Sequence, residues 1–394
     1  MIFPRSWEDG GCEPSGHQGL LQDLDAPGMI PPGPPSPSVR EASRYRPPAK
    51  LILVRNDRLG DFLLAWPAFA VLRAALPRTE LVAWVPAYTE PLARICPSID
   101  TVVVGDPHPL RWRRVREVAD GFRRLDADGA VVFATRLPLA LALWRSGIRH
   151  RVAPATKIDQ LFYNETLKQR RSRSLRPEWA YNVELVFSLL GRYGIPPSWP
   201  KPPYLSLDPI RVGERRRQFF GSAGIPEQAR VIFLHPGHGG SAPNWKPEEY
   251  GYLARRLLED PGTHVIVTAG AGEAEAARRV VEVAGDPKRA HCYDSPQGLV
   301  AFAEHIAFAD LWISGSTGPL HLAGALNRPT LAFYPTHRSG HALRWQTINE
   351  EERRWALDLA EPRQARARLD QAINQIRSLD LARFAAVSPR DGRI

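Results

Sequence analysis

The chain holds 394 residues, with 52 Lys+Arg against 42 Asp+Glu and a formal net charge of +10. At 43% hydrophobic and 24% charged it has the composition of an ordinary globular protein of about two domains, which excludes a fully disordered chain. Three scattered cysteines, Cys12, Cys96 and Cys292, exclude a disulfide framework and a paired-cysteine metal knuckle, so a reducing compartment is expected.

From the N-terminus, residues 26–49 carry eight prolines and little that could be buried, so 1–48 is expected to be a disordered leader. The first residues, MIFPRSWEDGG, lack the basic start and apolar stretch of a secretory signal. The longest apolar run, Phe62 to Leu72, falls short of the roughly 18 residues a membrane span requires. A cytoplasmic location follows as the expectation.

From Lys50 onward short β-branched runs alternate with segments of helical period, which means βαβ units, a parallel sheet and an α/β fold. Strands are expected at Leu51–Val54, Glu80–Val85, Thr101–Val104, Ala130–Ala134 and Ile148–Val152, with helices at Asp61–Ala75 and Trp112–Leu125. Five prolines between Arg192 and Leu207 exclude a helix interior and a central strand, and mark a linker. A second series follows: strands at Val231–Leu234, His264–Thr268, Leu311–Ser314 and Thr330–Phe333, a helix over Pro247–Glu259, and a closing helix over Pro362–Ala385. The domains are accordingly read as 49–195 and 209–360, joined by 196–208 and followed by a C-terminal helix and tail over 361–394. Two doubly wound halves put the ligand crevice at the carboxyl ends of their strands, between them.

Four segments carry candidate chemistry. In ILVRNDRLGD a strand runs into a polar turn, and Asp61 stands where the next helix begins. That is a good N-cap position and equally a place for a general base kept ionised by the helix N-terminus and nearby arginine. In FLHPGHGGSAPNWK the small residues Gly239, Gly240 and Ser241 let backbone N–H groups approach an anion, and Lys246 is the nearest fixed cation. No Walker A or GxGxxG spacing is present. In VIVTAGAGEAE a glycine turn opens a helix with Glu273 and Glu275, suited to a helix dipole or to ribose hydroxyls. In WISGSTGPLHLA a strand runs into Ser316, Thr317 and Gly318, with Pro319 suited to a first helical turn and His321 one turn in, which makes the best anion site in the chain.

Taken in order, DRLGD, HPG with its small-residue loop and Trp turn, the glycine turn with acids, and STGPLHLA resemble glycosyltransferase family 9, the ADP-heptose:lipopolysaccharide heptosyltransferases and their relatives. The resemblance covers roughly Lys50 to Trp345. It implies the GT-B fold, two Rossmann-like domains facing across a cleft. It also implies Asp61 as catalytic base, Thr317, Gly318 and His321 around the donor diphosphate with Ser316 before them, and Glu273 near the donor nucleoside. Many heptosyltransferases carry Asp where this chain has Ser316, and Lys where it has Pro243.

The expected activity is therefore inverting, metal-independent transfer of a sugar, a heptose above all, from a nucleotide-diphosphate donor to an anionic lipid-linked glycan such as the lipopolysaccharide core. No cofactor and no metal are expected. The DxD-like triplet Asp126-Ala127-Asp128 precedes a strand and reads as a turn. The alternatives are a sugar-nucleotide epimerase or hydrolase of the same fold, and a non-catalytic sugar-nucleotide binder. Residues 51–200 hold 22 basic and 14 acidic side chains, against 25 and 22 in 201–394, so the first half is the basic one. Arg58 and the run Arg111, Arg113, Arg114 and Arg116, with a second run from Lys168 to Arg176, suit an anionic acceptor. They also suit peripheral contact with the cytoplasmic face of the inner membrane. Nucleic acid is not an expected partner, because no helix-turn-helix, zinc or RNA-binding motif is present.

Overall fold

The structure is a computed structural model that describes residues 46–105, 110–155, 157–237, 243–270, 272–294, 297–359, 364–379 and 381. Most of the expected leader and of the C-terminal tail therefore lie outside the described residues, as do Gly239, Gly240 and Ser241 of the small-residue loop.

The first half runs β1 (Lys50–Val54), α1 (Leu59–Leu63), α2 (Trp66–Ala75), β2 (Glu80–Val85), α3 (Glu90–Arg94), β3 (Thr101–Val104), α4 (Val115–Arg124), β4 (Gly129–Val132), α5 (Leu137–Ser146), β5 (His150–Pro154), β6 (Glu165–Leu167) and α6 (Glu178–Arg192). The second runs α7 (Pro209–Ala223), β7 (Arg230–His235), α8 (Pro247–Leu257), β8 (Thr263–Ala269), α9 (Ala274–Ala284), β9 (Ala290–Asp294), α10 (Gly298–Ile306), β10 (Leu311–Gly315), α11 (Gly318–Ala325), β11 (Thr330–Tyr334), α12 (Ala342–Trp345), β12 (Arg354–Asp358) and α13 (Ala365–Ser378).

Each half folds around a six-stranded parallel sheet. The orders are β3-β2-β1-β4-β5-β6 and β12-β11-β10-β7-β8-β9, which are the same doubly wound order. In both, the order reverses beside the first strand of the half, so the crevice opens where β1 and β4, and β7 and β10, deliver their loops. The central strands are apolar on both faces, as sheets covered by helices require: Leu51 to Val54 and Leu311 to Ile313 are wholly buried.

Three apolar clusters fill the layers. One lies under α4 and α5, and one lies under α8, α9 and α13. The third is continuous from the other face of the first sheet to the inner face of the second, through α2, α6, α7 and α10. The proline-rich stretch is fastened to this shared core. Trp199 packs edge-on against Trp179 and Phe187, and the N–H groups of Tyr204 and Leu205 donate to the Ala325 carbonyl.

Several boundaries differ from the sequence reading. The expected helix Asp61–Ala75 is two helices, broken at Leu64 and Ala65, because Pro67 lacks an N–H and belongs in a first turn, where α2 places it. The segment Trp112–Leu125 opens with a 3-10 turn over Trp112–Arg114 before α4. The strands β6, β9 and β12 were not expected at all. The Asp126-Ala127-Asp128 turn fastens the sheet: Asp128 Oδ2 accepts the N–H groups of Ala49 at 2.7 Å and Lys50 at 3.0 Å.

α8 and α9 lie close because Gly251 offers no side chain. A Cβ there would stand 2.4 Å from Val283 Cβ and 3.1 Å from the Val280 carbonyl oxygen. Gly251→Ala should therefore destabilise the protein by about 1–3 kcal/mol through overpacking. The measurement is a thermal melt, in which an unchanged midpoint would refute the close contact.

Candidate active site

The first switch point is built on Arg55, the residue after β1. Its side chain is only 2% exposed, which a guanidinium tolerates only when paired and hydrogen-bonded. Arg55 Nη2 donates to Asp61 Oδ1 at 2.8 Å, and Arg55 Nε stands 2.8 Å from Asp57 Oδ1. One cation thus serves two carboxylates.

Asp61 sits in the first turn of α1 and keeps 20% of its side chain exposed, so one side of the carboxylate is fixed and the other faces the crevice. Burial raises its pKa above the ordinary carboxylate value, Arg55 opposes the rise, and Glu178 adds to it. Asp57 is pushed up to about 7 by burial, which outweighs Arg55, with Asp61 adding to the rise. Two acids sharing one guanidinium cannot both remain strongly acidic.

Glu178, the first residue of α6, joins this network from 117 positions away in sequence. Its carboxylate accepts from Arg171 Nη1 at 2.7 Å and from Arg344 Nη2 at 3.4 Å. Burial alone would raise the Glu178 pKa, but Arg171, Arg55 and Arg344 together hold it below the ordinary range. Arg344 belongs to α12 of the second half, so this ion cluster bridges the two sheets. Arg338 Nε adds a second bridge, to the Arg173 carbonyl at 3.0 Å.

The second switch point supplies the opposing wall. Thr317 caps α11 in extended conformation. Its Oγ1 and the Nδ1 of His321 are buried and have no hydrogen-bond partner among the described residues. Burial lowers the His321 pKa to about 4, so the ring is neutral near pH 7. α11 packs directly on α1: a Cβ on Gly60 would stand 2.8 Å from His321 Cδ2, and one on Gly318 would stand 3.0 Å from Leu59 Cδ2. The helices carrying Asp61 and the Thr317–His321 segment therefore meet across the crevice, with glycine on each side of the seam.

The other expected residues fall as follows. Ser316 is half-buried beside Thr317. Glu273 precedes α9, where its Oε2 accepts the Gly270 N–H at 3.0 Å and stands 4.0 Å from His235 Nε2. A Cβ on Gly237 would come within 1.9 Å of that oxygen, so Glu273 lies against the loop that follows β7. Lys246 is exposed at the start of α8, its N–H donating to Glu249 Oε2 at 2.5 Å. Asn244 anchors the end of the same loop: it donates to the Pro236 carbonyl at 2.9 Å and accepts from Tyr250 at 2.9 Å.

Arg58 is exposed and immediately precedes α1. Arg111 and Arg113 are exposed at the carboxyl end of β3, whereas Arg114 is half-buried and paired with Glu117 at 3.0 Å. The second basic run is in part structural, since Arg171 holds Glu178 and Arg176 lies 3.4 Å from Glu184. Sequence reasoning missed Glu178 and Arg344. No local signal could have found them, because their role exists only once α6 and α12 converge.

Residues 122–368 match the family model described as glycosyltransferase family 9 (heptosyltransferase). A Haemophilus influenzae protein provisionally named a glycosyltransferase is 42% identical over 304 residues, covering 77% of this chain and 87% of that protein. Lipopolysaccharide heptosyltransferase 2 of Escherichia coli is 24% identical over 296 residues, covering 72% and 82%. The solved structure of the E. coli ADP-heptose lipopolysaccharide heptosyltransferase II superposes with a TM-score of 0.70 at 18% identity, covering 85% of this chain and all of that one.

Removing the negative charge of Glu178 should expose the value of the bridging cluster. Glu178→Gln should lower stability by roughly 3–5 kcal/mol at pH 7, the cost of breaking a buried pair from one side. The folded-state pKa of Glu178 is depressed, so its contribution is present above the unfolded value near 4.5 and is lost as pH falls through the folded value. The difference between wild type and variant, followed by denaturant unfolding, should hold at pH 7 and shrink below about pH 4.5. A gap independent of pH would refute the ionised role.

Proposed function

This chain belongs to glycosyltransferase family 9, and we propose that it moves a heptose from a nucleotide-diphosphate donor to a hydroxyl of an anionic, lipid-linked glycan of the lipopolysaccharide-core type. The observation that carries this reading is the seam between α1 and α11. A carboxylate fixed by Arg55 lies across it from a helix N-terminus whose neighbouring Thr317 Oγ1 and His321 Nδ1 are buried with no hydrogen-bond partner among the described residues.

In this reading Asp61 takes the proton of the acceptor hydroxyl while that oxygen attacks the anomeric carbon. The bond from the anomeric carbon to the donor phosphate oxygen breaks as the new glycosidic bond forms on the opposite face, so configuration inverts. The departing nucleoside diphosphate gains negative charge. The N–H groups of Gly318 and Leu320, the Thr317 hydroxyl and Lys246 stabilise it, and His321 orients it as a neutral hydrogen-bonding group. Ser316 borders the site, and Glu273 meets the ribose hydroxyls. The reaction so written uses no metal.

Arg58, Arg111, Arg113 and Arg114 border the acceptor side, so residues 49–195 act as the acceptor domain and 209–360 as the donor domain. Working on the cytoplasmic face of the inner membrane is consistent with this acceptor; no described helix is long and apolar enough to cross a membrane. ADP-heptose is the proposed donor, supported by the names of the relatives.

Asp61→Ala should lower kcat about 10²- to 10⁴-fold, the cost of a lost general base, while donor binding measured by thermal shift is retained. Wild-type turnover in that variant would refute the assignment. Because the Asp61 pKa is raised, the acidic limb of the wild-type rate profile should lie above the ordinary carboxylate value of 3.8. Donor identity is read from a thermal-shift panel of nucleotide sugars, in which the true donor stabilises the protein in proportion to its affinity. Stabilisation by a UDP- or GDP-sugar and none by ADP-heptose would remove the heptose and leave the transferase.

A further inference from the structure

Eight large apolar side chains stand exposed among the described residues, and seven of them lie between residues 88 and 175, in the basic half. Apolar residues exposed singly mean little, but a cluster of them does. Three of the seven share one outer face. Trp144, 52% exposed, sits near the end of α5; Ile158 and Leu161, 57% and 74% exposed, lie on the 3-10 turn Lys157–Phe162 beside it. The rings of Trp144 and Phe162 meet edge-on at 5.9 Å and join the two elements. Residues three apart eclipse in a 3-10 turn, so Ile158 and Leu161 project together.

The charge around this face is one-sided. Residues 129–164 contain five basic residues and a single acid, Asp159, and Asp159 is buried. Arg145, Arg149 and Lys157 are exposed. Three apolar side chains are too few for the core of a stable protein–protein interface, which takes roughly 20–30 residues a side. They suffice at a membrane surface, where aromatic and aliphatic tips enter the headgroup layer and each cation adds its own attraction to anionic lipid.

We propose that this face of α5 and the 157–162 turn docks on the surface of an anionic lipid bilayer, with Trp144, Ile158 and Leu161 in the headgroup layer and Arg145, Arg149 and Lys157 against lipid phosphates. It is separate from the basic runs that drew attention in the sequence. α5 begins at the carboxyl end of β4 and ends just before β5, which is parallel to it, so the face runs down the flank of the first sheet, with Trp144, Arg145 and Arg149 toward the amino ends of the strands. An enzyme held this way rests on the bilayer by the flank of its first half. The proposal rests on a lipid-linked acceptor for its purpose, though its test does not need one.

The full chain is sedimented with vesicles of phosphatidylethanolamine and phosphatidylglycerol, and with purely zwitterionic vesicles, at low and high salt. Binding should require the anionic lipid and fall with salt. Trp144→Ser/Ile158→Ser/Leu161→Ser and Arg145→Gln/Arg149→Gln/Lys157→Gln should each lower binding at least about tenfold, with thermal midpoints and donor protection like wild type. Three results would overturn the proposal: no binding to anionic vesicles, binding unchanged in both variants, or a self-associating wild type that the apolar variant turns into a smaller species, which would make the face a contact between copies. If vesicle binding holds and no nucleotide sugar protects the wild type, the transferase reading falls and this one stands.

Discussion

A guanidinium with almost no contact with water is the constraint around which the first half of the crevice is arranged. Arg55 follows directly from the central strand β1, so its backbone position is set by the sheet, and its burial would be prohibitive without anions around it. Asp57 and Asp61 supply the nearest ones at 2.8 Å each, and Glu178 supplies a third, more distant field. The arrangement orients Asp61 without neutralising it completely, since burial and Glu178 keep its proton affinity above that of a carboxylate in water. The role of base proposed for Asp61 requires that balance: enough positive charge to hold the side chain in place, too little to suppress its affinity for a proton.

The same cluster ties the two halves together. Glu178 is shared between Arg171 of its own half and Arg344 of the other, and the apolar core beneath it is continuous between halves. The seam at α1 and α11 is closed by glycines rather than by large side chains. Gly60 admits the His321 ring and Gly318 admits Leu59. Close backbone approach and a shared ion cluster are complementary devices, the first setting the distance between the walls and the second their charge.

What could be read from the sequence divides along physical lines. Central strands such as β1, β2 and β10 announce themselves because both faces are buried and nearly every residue is apolar. The edge strands β6, β9 and β12 read as ETL, AHCYD and RWALD, too polar and too short to stand out from loops, and they become strands only through a neighbour's hydrogen bonds. The helix break at Leu64–Ala65 was foreshadowed by Pro67, yet an apolar run of helical period hid it. Asp61, Thr317 and His321 were legible because each stands at a strand-to-helix turn with distinctive residues. Glu178 and Arg344 were not, because a charge-pair partner 166 positions away leaves no trace in either local sequence.

The wall on the second half is electrostatically unlike the wall on the first. Arg58, Arg111 and Arg113 are full charges held in or near water on the first half, whereas the centre of the second offers dipoles. His321 is buried with its pKa near 4, so it cannot contribute a positive charge near neutral pH, and Thr317 contributes only a hydroxyl. In the proposed reaction the diphosphate is therefore met by oriented N–H groups and hydroxyls in a dry seam, with Lys246 as the cation at its exposed margin. Preorganised dipoles of this kind need no solvent-like reorganisation as charge develops on the leaving group. They also do not hold the donor and the departed nucleotide by charge alone. A strong cation buried at the seam would bind the product as tightly as the transition state, and the binding would then be spent without lowering the barrier.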